Sequence, residues 1–129
     1  DWVASPRLVT ETGGPIPLIL APAPDVYRKR ALSALDAAGR DWRIVYTSPS
    51  LAGLQAAVQA GLGVTVLPTE MIPADMVSVS ARLQLPKLPD TEIVLYRAPG
   101  HVTPAAELLS STIIAALEQR VVVSKAVAV

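Results

Sequence analysis

Apolar positions change period several times along the chain, and each change marks an element. "LILA" at residues 18–21 is a continuous apolar run of strand length that begins after Pro17. "PAPDVYRKRALSALDAAGR" takes the helical period, with Val26, Ala31, Leu35 and Ala38 on an inner face and Ala34 beside them. Pro24 suits its first position, Asp25 complements the N-terminal dipole, and Gly39 suits the residue just past its end. "WRIVYT" at 42–47 is β-branched and strand-like. Residues 49–60 return to the helical period, with Leu51, Leu54, Val58 and Leu62 in one stripe and Gly61 as the stop. "VTVL" at 64–67 is the next strand. Strand, helix, strand, helix, strand with short connections predicts a parallel sheet joined by right-handed crossovers.

The flanks are less regular. Trp2 to Ala4 is a short extended segment, and Gly13, Gly14 and Pro15 break both periods into a loop. "PTEMIPADM" at 68–76 is a turn or one helical turn, broken by Pro73, "VSVS" at 77–80 a short edge strand, and "LQLPKLPD" a connector with two prolines. "TEIVLYR" at 91–97 has the pattern of a strong strand. Thr103 then caps a helix with Pro104 in its first position, running through about Gln119, with Leu109, Ile113, Ala116 and Leu117 as its buried stripe. The tail "VVVSKAVAV" reads as a final strand or a remnant foreign to the domain. There is no internal repeat.

Composition narrows the function classes. Lys plus Arg number 11 and Asp plus Glu number 11, so the chain lacks the basic footprint of a nucleic-acid or polybasic membrane binder. With 51% hydrophobic and 17% charged residues it has the material for one real core. No run is long and apolar enough to span a bilayer, and "DWVASPRLV" is not a signal peptide. A start in mid-strand without methionine leads us to expect a piece of a longer protein.

Catalytic and metal chemistry finds little to work with. There is no cysteine, and His101 is the one histidine, so only a carboxylate metal site is conceivable. The acidic residues are scattered without a close pair, and no cofactor motif is present. His101 follows Pro99-Gly100 and reads as a loop residue rather than a base, which would need a nucleophile or orienting partner. Gly61-Leu62-Gly63 follows a helix and precedes a strand, the reverse of a dinucleotide fingerprint, so it reads as a helix stop and a tight path into the strand. Arg28, Lys29 and Arg30 read as a solvated helix face. Trp2 and Trp42, each at the start of a strand, read as packing residues rather than a ligand stack.

Thr47-Ser48-Pro49-Ser50 is the stretch with chemical promise. It joins the carboxyl end of a strand to a helix N-terminus, the edge where open α/β sheets bind ligands. Ser48 is the expected N-cap, Pro49 the first helical residue, and the N–H groups of Ser50 and Leu51 would then face a ligand. Local chemistry alone is equally satisfied by a plain cap.

"TSPSLAGLQAAVQAGLGVTVLP" also resembles the effector-binding domain of LysR-type transcriptional regulators. That family's "V-x-A-G-L-G-V-x-V-L-P" segment is matched by Val58 through Pro68 in the same strand-helix-strand context. "DWVAS", "PIPLILAPAPDVYRKRALSALDAAGRDWRIVYTS" and "TEIVLYRAPGHVTPAAELLSSTIIAALEQ" are similar to the same family, with a branch that includes regulators of motility and of secreted enzymes. The resemblance implies an α/β fold, an open, mostly parallel sheet flanked by helices, as in a periplasmic-binding-protein-like (type II) subdomain. It implies residues 1–5 as a crossover strand and 6–90 as effector-domain subdomain II. Residues 91–120 would be the return crossover and C-terminal helix of subdomain I, and 121–129 a tail of uncertain origin. It implies no enzyme and no cofactor, a cytoplasmic location, a homo-oligomer, and contact with DNA only through a helix-turn-helix domain elsewhere. A small, anionic effector would sit in the inter-subdomain cleft, touched by Thr47, Ser48, Ser50 and Leu51 and by the crossover residues Ala4 and Ser5. A periplasmic solute-binding fragment, a small α/β enzyme and a pure dimerisation module are the rival readings.

Overall fold

The computed structural model describes residues 1–11, 13–92, 94–100 and 102–127, with side chains through residue 118. His101 lies outside the described residues, as do the side chains of the tail. The chain divides into two compact units, Asp1–Asp90 and a second that begins at Thr91.

The first unit contains β1 (Trp2–Ala4), β2 (Ile16–Leu20), α1 (Val26–Ala37), β3 (Trp42–Thr47), α2 (Leu51–Gln59), β4 (Thr65–Val66) and β5 (Val77–Ser78), with a 3-10 turn at Thr69–Met71. β2 pairs parallel with β3, from Ile16 opposite Trp42 to Leu20 opposite Thr47, and steps past Val45 through an irregularity after Leu18. On its other side β2 meets the lead into β4 in parallel, through the Leu18–Val64 bridge and the bonds Ile19 N–H to Val64 O and Val64 N–H to Pro17 O, both 2.8 Å. β4 pairs antiparallel with β1, and β1 antiparallel with β5. The spatial order is therefore β3-β2-β4-β1-β5. The expected parallel strand-helix-strand part is present, but the sheet as a whole is mixed. β1 arrives from the opposite direction and takes the place beside β4, and "VSVS" is the edge strand expected.

The sheet is covered on both faces. Trp2, Ala4, Leu18 and Leu20 pack with Ala31 and Leu35 of α1, while Val3 and Ile19 pack with Leu54, Ala57 and Val58 of α2. The alternation follows from the period of 2 in a strand. α1 carries the chain from β2 out to β3 and α2 carries it back past β2 to β4. Right-handed crossovers running in opposite directions put their helices on opposite faces, so all five residues of β2 are buried.

Each helix face is narrower than its sequence stripe. Val26 and Ala38 at the ends of α1 are exposed, as are Leu51 and Leu62 around α2. Terminal turns project past the sheet, so only the middle of each stripe meets the core. α1 begins two residues later than Pro24 suggests. Asp25 is its N-cap and accepts from the Arg28 N–H at 2.6 Å. Both helices end as a Schellman turn. Gly39 and Gly61 hold φ of 61° and 78°, and the Arg40 and Leu62 N–H groups reach back to the Leu35 and Ala57 carbonyls.

In the second unit, residues 91–97 carry no strand among the described residues, although their pattern is strand-like. A strand exists only through a ladder, and none of the described residues of this segment takes part in one. Thr103 does cap α3 (Pro104–Val127), its Oγ1 accepting from the Ala106 N–H at 3.3 Å. α3 runs past Arg120 to Val127, because "VVVSKAV" offers no glycine or proline to stop it. The expected buried stripe is exposed at Leu109, Ile113 and Leu117.

Candidate functional site

The carboxyl ends of β2 and β3 lie side by side, with Leu20 opposite Thr47. β4 runs in the same direction, so Leu67 ends at this same edge. The chain leaves β2 toward α1 and β4 toward the opposite face, and a crevice outside the strands forms at such a switch point. At this edge the Leu67 N–H donates to the Asp1 carbonyl at 3.1 Å.

The turn from β3 into α2 shares out two hydroxyls. The Ser48 N–H reaches the Leu20 carbonyl at 3.4 Å, and the buried Ser48 Oγ accepts from the Ser50 N–H at 3.2 Å. Ser50, with φ −97° and ψ 126°, is the N-cap, and its Oγ accepts from the Gly53 N–H at 3.4 Å. The expectation of Ser48 as cap and Pro49 as first helical residue is therefore off by two residues. Pro49 is the spacer between one serine that holds the turn and another that caps the helix. The N–H left open is not that of Ser50, which Ser48 takes. Leu51 and Ala52 have no acceptor among the described residues, and both are exposed at the mouth of α2.

Gly53 completes this corner, and the hydrophobic pattern does not single it out. A Cβ on Gly53 would stand 2.6 Å from Ser48 Oγ and 3.3 Å from Ser48 Cβ. Only a bare α-carbon lets Ser48 tuck beneath the first turn of α2. A glycine in the third position of a helix, against its poor helix propensity, was the available signal.

Arg28 is a second such residue. Its Nη1 donates to the carbonyl of Ala21, just past the end of β2, at 3.0 Å. The guanidinium is half-buried beside the carboxyl edge rather than spread on a solvated face. Arg30 is also half-buried, and of the triplet only Lys29 is exposed.

Ala4 and Ser5 are not part of the corner. The register of Trp2 with Val66 and Val3 with Thr65 carries them toward the start of β4, at the opposite edge of the sheet from Thr47. Both are buried, at 0% and 3% exposure, and Ser5 Oγ is occupied by the Arg7 N–H at 3.3 Å. An antiparallel β1 reverses which end of that strand meets the carboxyl edge, and its direction is not written in its own sequence. Thr47, Ser50 and Leu51 are exposed together with the buried Ser48 behind them.

Among the described residues, no group of three or more His, Cys, Asp or Glu is placed to hold a metal ion, and no helix is long and apolar enough to cross a membrane.

The LysR substrate binding domain family matches residues 1–118, and the chain belongs to that family. It is 36% identical over 112 residues to the HTH-type transcriptional regulator PecT of Dickeya dadantii (strain 3937), covering 87% of this chain and 35% of that protein. It is 37% identical over 107 residues to the HTH-type transcriptional regulator DgdR of Burkholderia cepacia, covering 81% of this chain and 36% of that protein. The chain thus spans about a third of the length of these relatives, both of which are transcriptional regulators.

Proposed function

We propose that the chain is an effector-sensing part of a bacterial, cytoplasmic LysR-type regulator, and that a small anionic molecule docks at the carboxyl edge beside Thr47, Ser48, Ser50 and Leu51. The observation that carries this is the pair of open N–H groups of Leu51 and Ala52 at the mouth of α2, at a topological switch point. The helix dipole favours negative charge there, and the Arg28 guanidinium adds a cation beside the end of β2. Leu51, 42% exposed, offers an apolar wall beside the polar groups. Residues 6–90 act as subdomain II, with residues 1–5 and 91–97 as the connections to subdomain I. DNA is bound by a separate part of the protein, as the relatives' names suggest. The effector acts by favouring one arrangement of subdomains, and each tenfold preference shifts that balance by about 1.4 kcal/mol.

Replacing Ser50 with alanine tests the reading. It removes the cap, at a stability cost of about 1 kcal/mol, and weakens the effector response of the intact regulator. A response equal to wild type, with the cap lost, leaves the serines a purely structural role.

The protein is also proposed to self-associate. Leu108, Leu109, Ile113, Ile114 and Leu117 of α3 are all exposed, and apolar surface of this kind is usually covered by a partner. Sedimentation of the chain is expected to show dimers or larger species, and a monomer at high concentration contradicts it.

A further inference from the structure

We infer that Arg30 is a positioning residue that fixes where the chain leaves the sheet-bearing unit, and thereby sets the pivot through which a regulatory signal passes. This rests on the regulatory reading above. Residues 79–90 form no helix or strand, yet they are tied down at several points far apart in sequence. The Val79 N–H meets the Trp2 carbonyl at 2.9 Å, and Ser80 Oγ donates to the Asp1 carboxylate. Trp2 Nε1 donates to the Pro86 carbonyl at 2.8 Å. Arg30 Nη1 then donates to two consecutive carbonyls, Pro89 at 3.3 Å and Asp90 at 2.8 Å. These are the last two residues of the unit, and the second unit begins at Thr91.

The chemistry of the strap suits a guanidinium. Pro86 and Pro89 have no N–H, so carbonyls are the main handles the backbone offers here. A planar fork of donors spans adjacent carbonyls better than the compact ammonium of lysine. The base of the fork is rigid, because the next residue, Ala31, and Leu35 one turn on are fully buried in the core. Movement of the following chain therefore starts past Asp90 and not at the last strand, some twelve residues earlier on a flexible tether.

Trypsin cleavage after the exposed Lys87 reads the strap directly. In the intact regulator, Arg30→Ala is expected to speed that cut about tenfold or more, since it removes both charge-assisted bonds to the Pro89 and Asp90 carbonyls. Cuts after Arg40 and Arg43 should be unchanged, and Arg30→Lys should fall between. The same variants should alter the effector-free expression of the genes that respond to deleting the regulator, with Arg30→Lys partly restoring it. An unchanged Lys87 cut overturns the inference, and so does a faster cut with unaltered expression. Should Arg30→Ala also expose Arg40 and Arg43, Arg30→Lys decides: it must speed the Lys87 cut alone and shift expression, and otherwise the inference fails. Neither readout uses an effector, so failure here leaves the corner at Thr47–Leu51 standing, and failure of Ser50→Ala leaves the strap standing.

Discussion

Trp2→Ala is expected to lower the stability of the chain by about 3–5 kcal/mol, as full truncations of buried aromatics do. Trp2 is 1% exposed and packs in the core on the α1 side of the sheet. Its indole N–H satisfies the Pro86 carbonyl at 2.8 Å, so the substitution removes that bond along with the ring. β1 is only three residues long and lies between β4 and β5. Loosening it frees both neighbours and the strap that follows β5. Trp2→Phe should keep most of the packing and lose roughly 1–2 kcal/mol with the hydrogen bond. Urea denaturation measures both, and a loss below about 1 kcal/mol for Trp2→Ala contradicts the placement of the indole in the core.

The second large effect is expected at Gly63, where alanine should cost about 3 kcal/mol or more by overpacking. A Cβ there would stand 2.4 Å from the Pro17 carbonyl oxygen, 3.0 Å from its carbon and 3.3 Å from Val45 Cγ2. Pro17 lies within the buried β2, and its carbonyl is already held by the Val64 N–H, so neither backbone can give way cheaply. The clash would part β2 from β4 and shift the turn of β3 at Val45. Gly61 is a different case within the same motif. Nothing lies within 4 Å of its would-be Cβ, and only its φ of 78° resists a side chain, so Gly61→Ala should cost about 1 kcal/mol. Equal losses at the two positions in a denaturation series would show that close passage of β2 is not what Gly63 serves.

That pair shows what a sequence of this kind discloses. Gly-Leu-Gly was legible as a helix stop and a tight path because glycines between a helix and a strand have few other uses. The β2-α1-β3-α2-β4 succession was legible because its periods are clean and its connections short. The family was legible from Val58 to Pro68, and the family match over residues 1–118 agrees with it. Long-range pairing was not. Whether "DWVAS" runs with or against its neighbours depends on Val66 and Ser78, far along the chain, and that choice moved Ala4 and Ser5 away from the corner. "TEIVLYR" has strand composition but joins no ladder among the described residues. The Ser-Pro-Ser cap slipped by two residues because either serine satisfies the local rule, and only the close approach of Gly53 to Ser48 decides between them. Arg28 and Arg30 looked like a solvated run because their acceptors, the Ala21 carbonyl and the Pro89 and Asp90 carbonyls, are backbone atoms that no side-chain pattern reveals.

The claim that the open N–H groups at α2 receive an anion is tested most directly by Ser50→Asp. Aspartate caps a helix as well as serine does, so the fold should be kept, yet it places a negative charge where the effector's own would sit. The measurement is the thermal stability of the intact regulator, wild type and variant, against a panel of small mono- and dicarboxylates. A carboxylate present at a hundred times its Kd should stabilise the wild type by about 2.7 kcal/mol. The account predicts such a shift in the wild type for at least one member of the panel and none for that compound in Ser50→Asp, with the two proteins melting alike when no carboxylate is added. Equal shifts in both proteins, or no shift in the wild type with any of the panel, would contradict it.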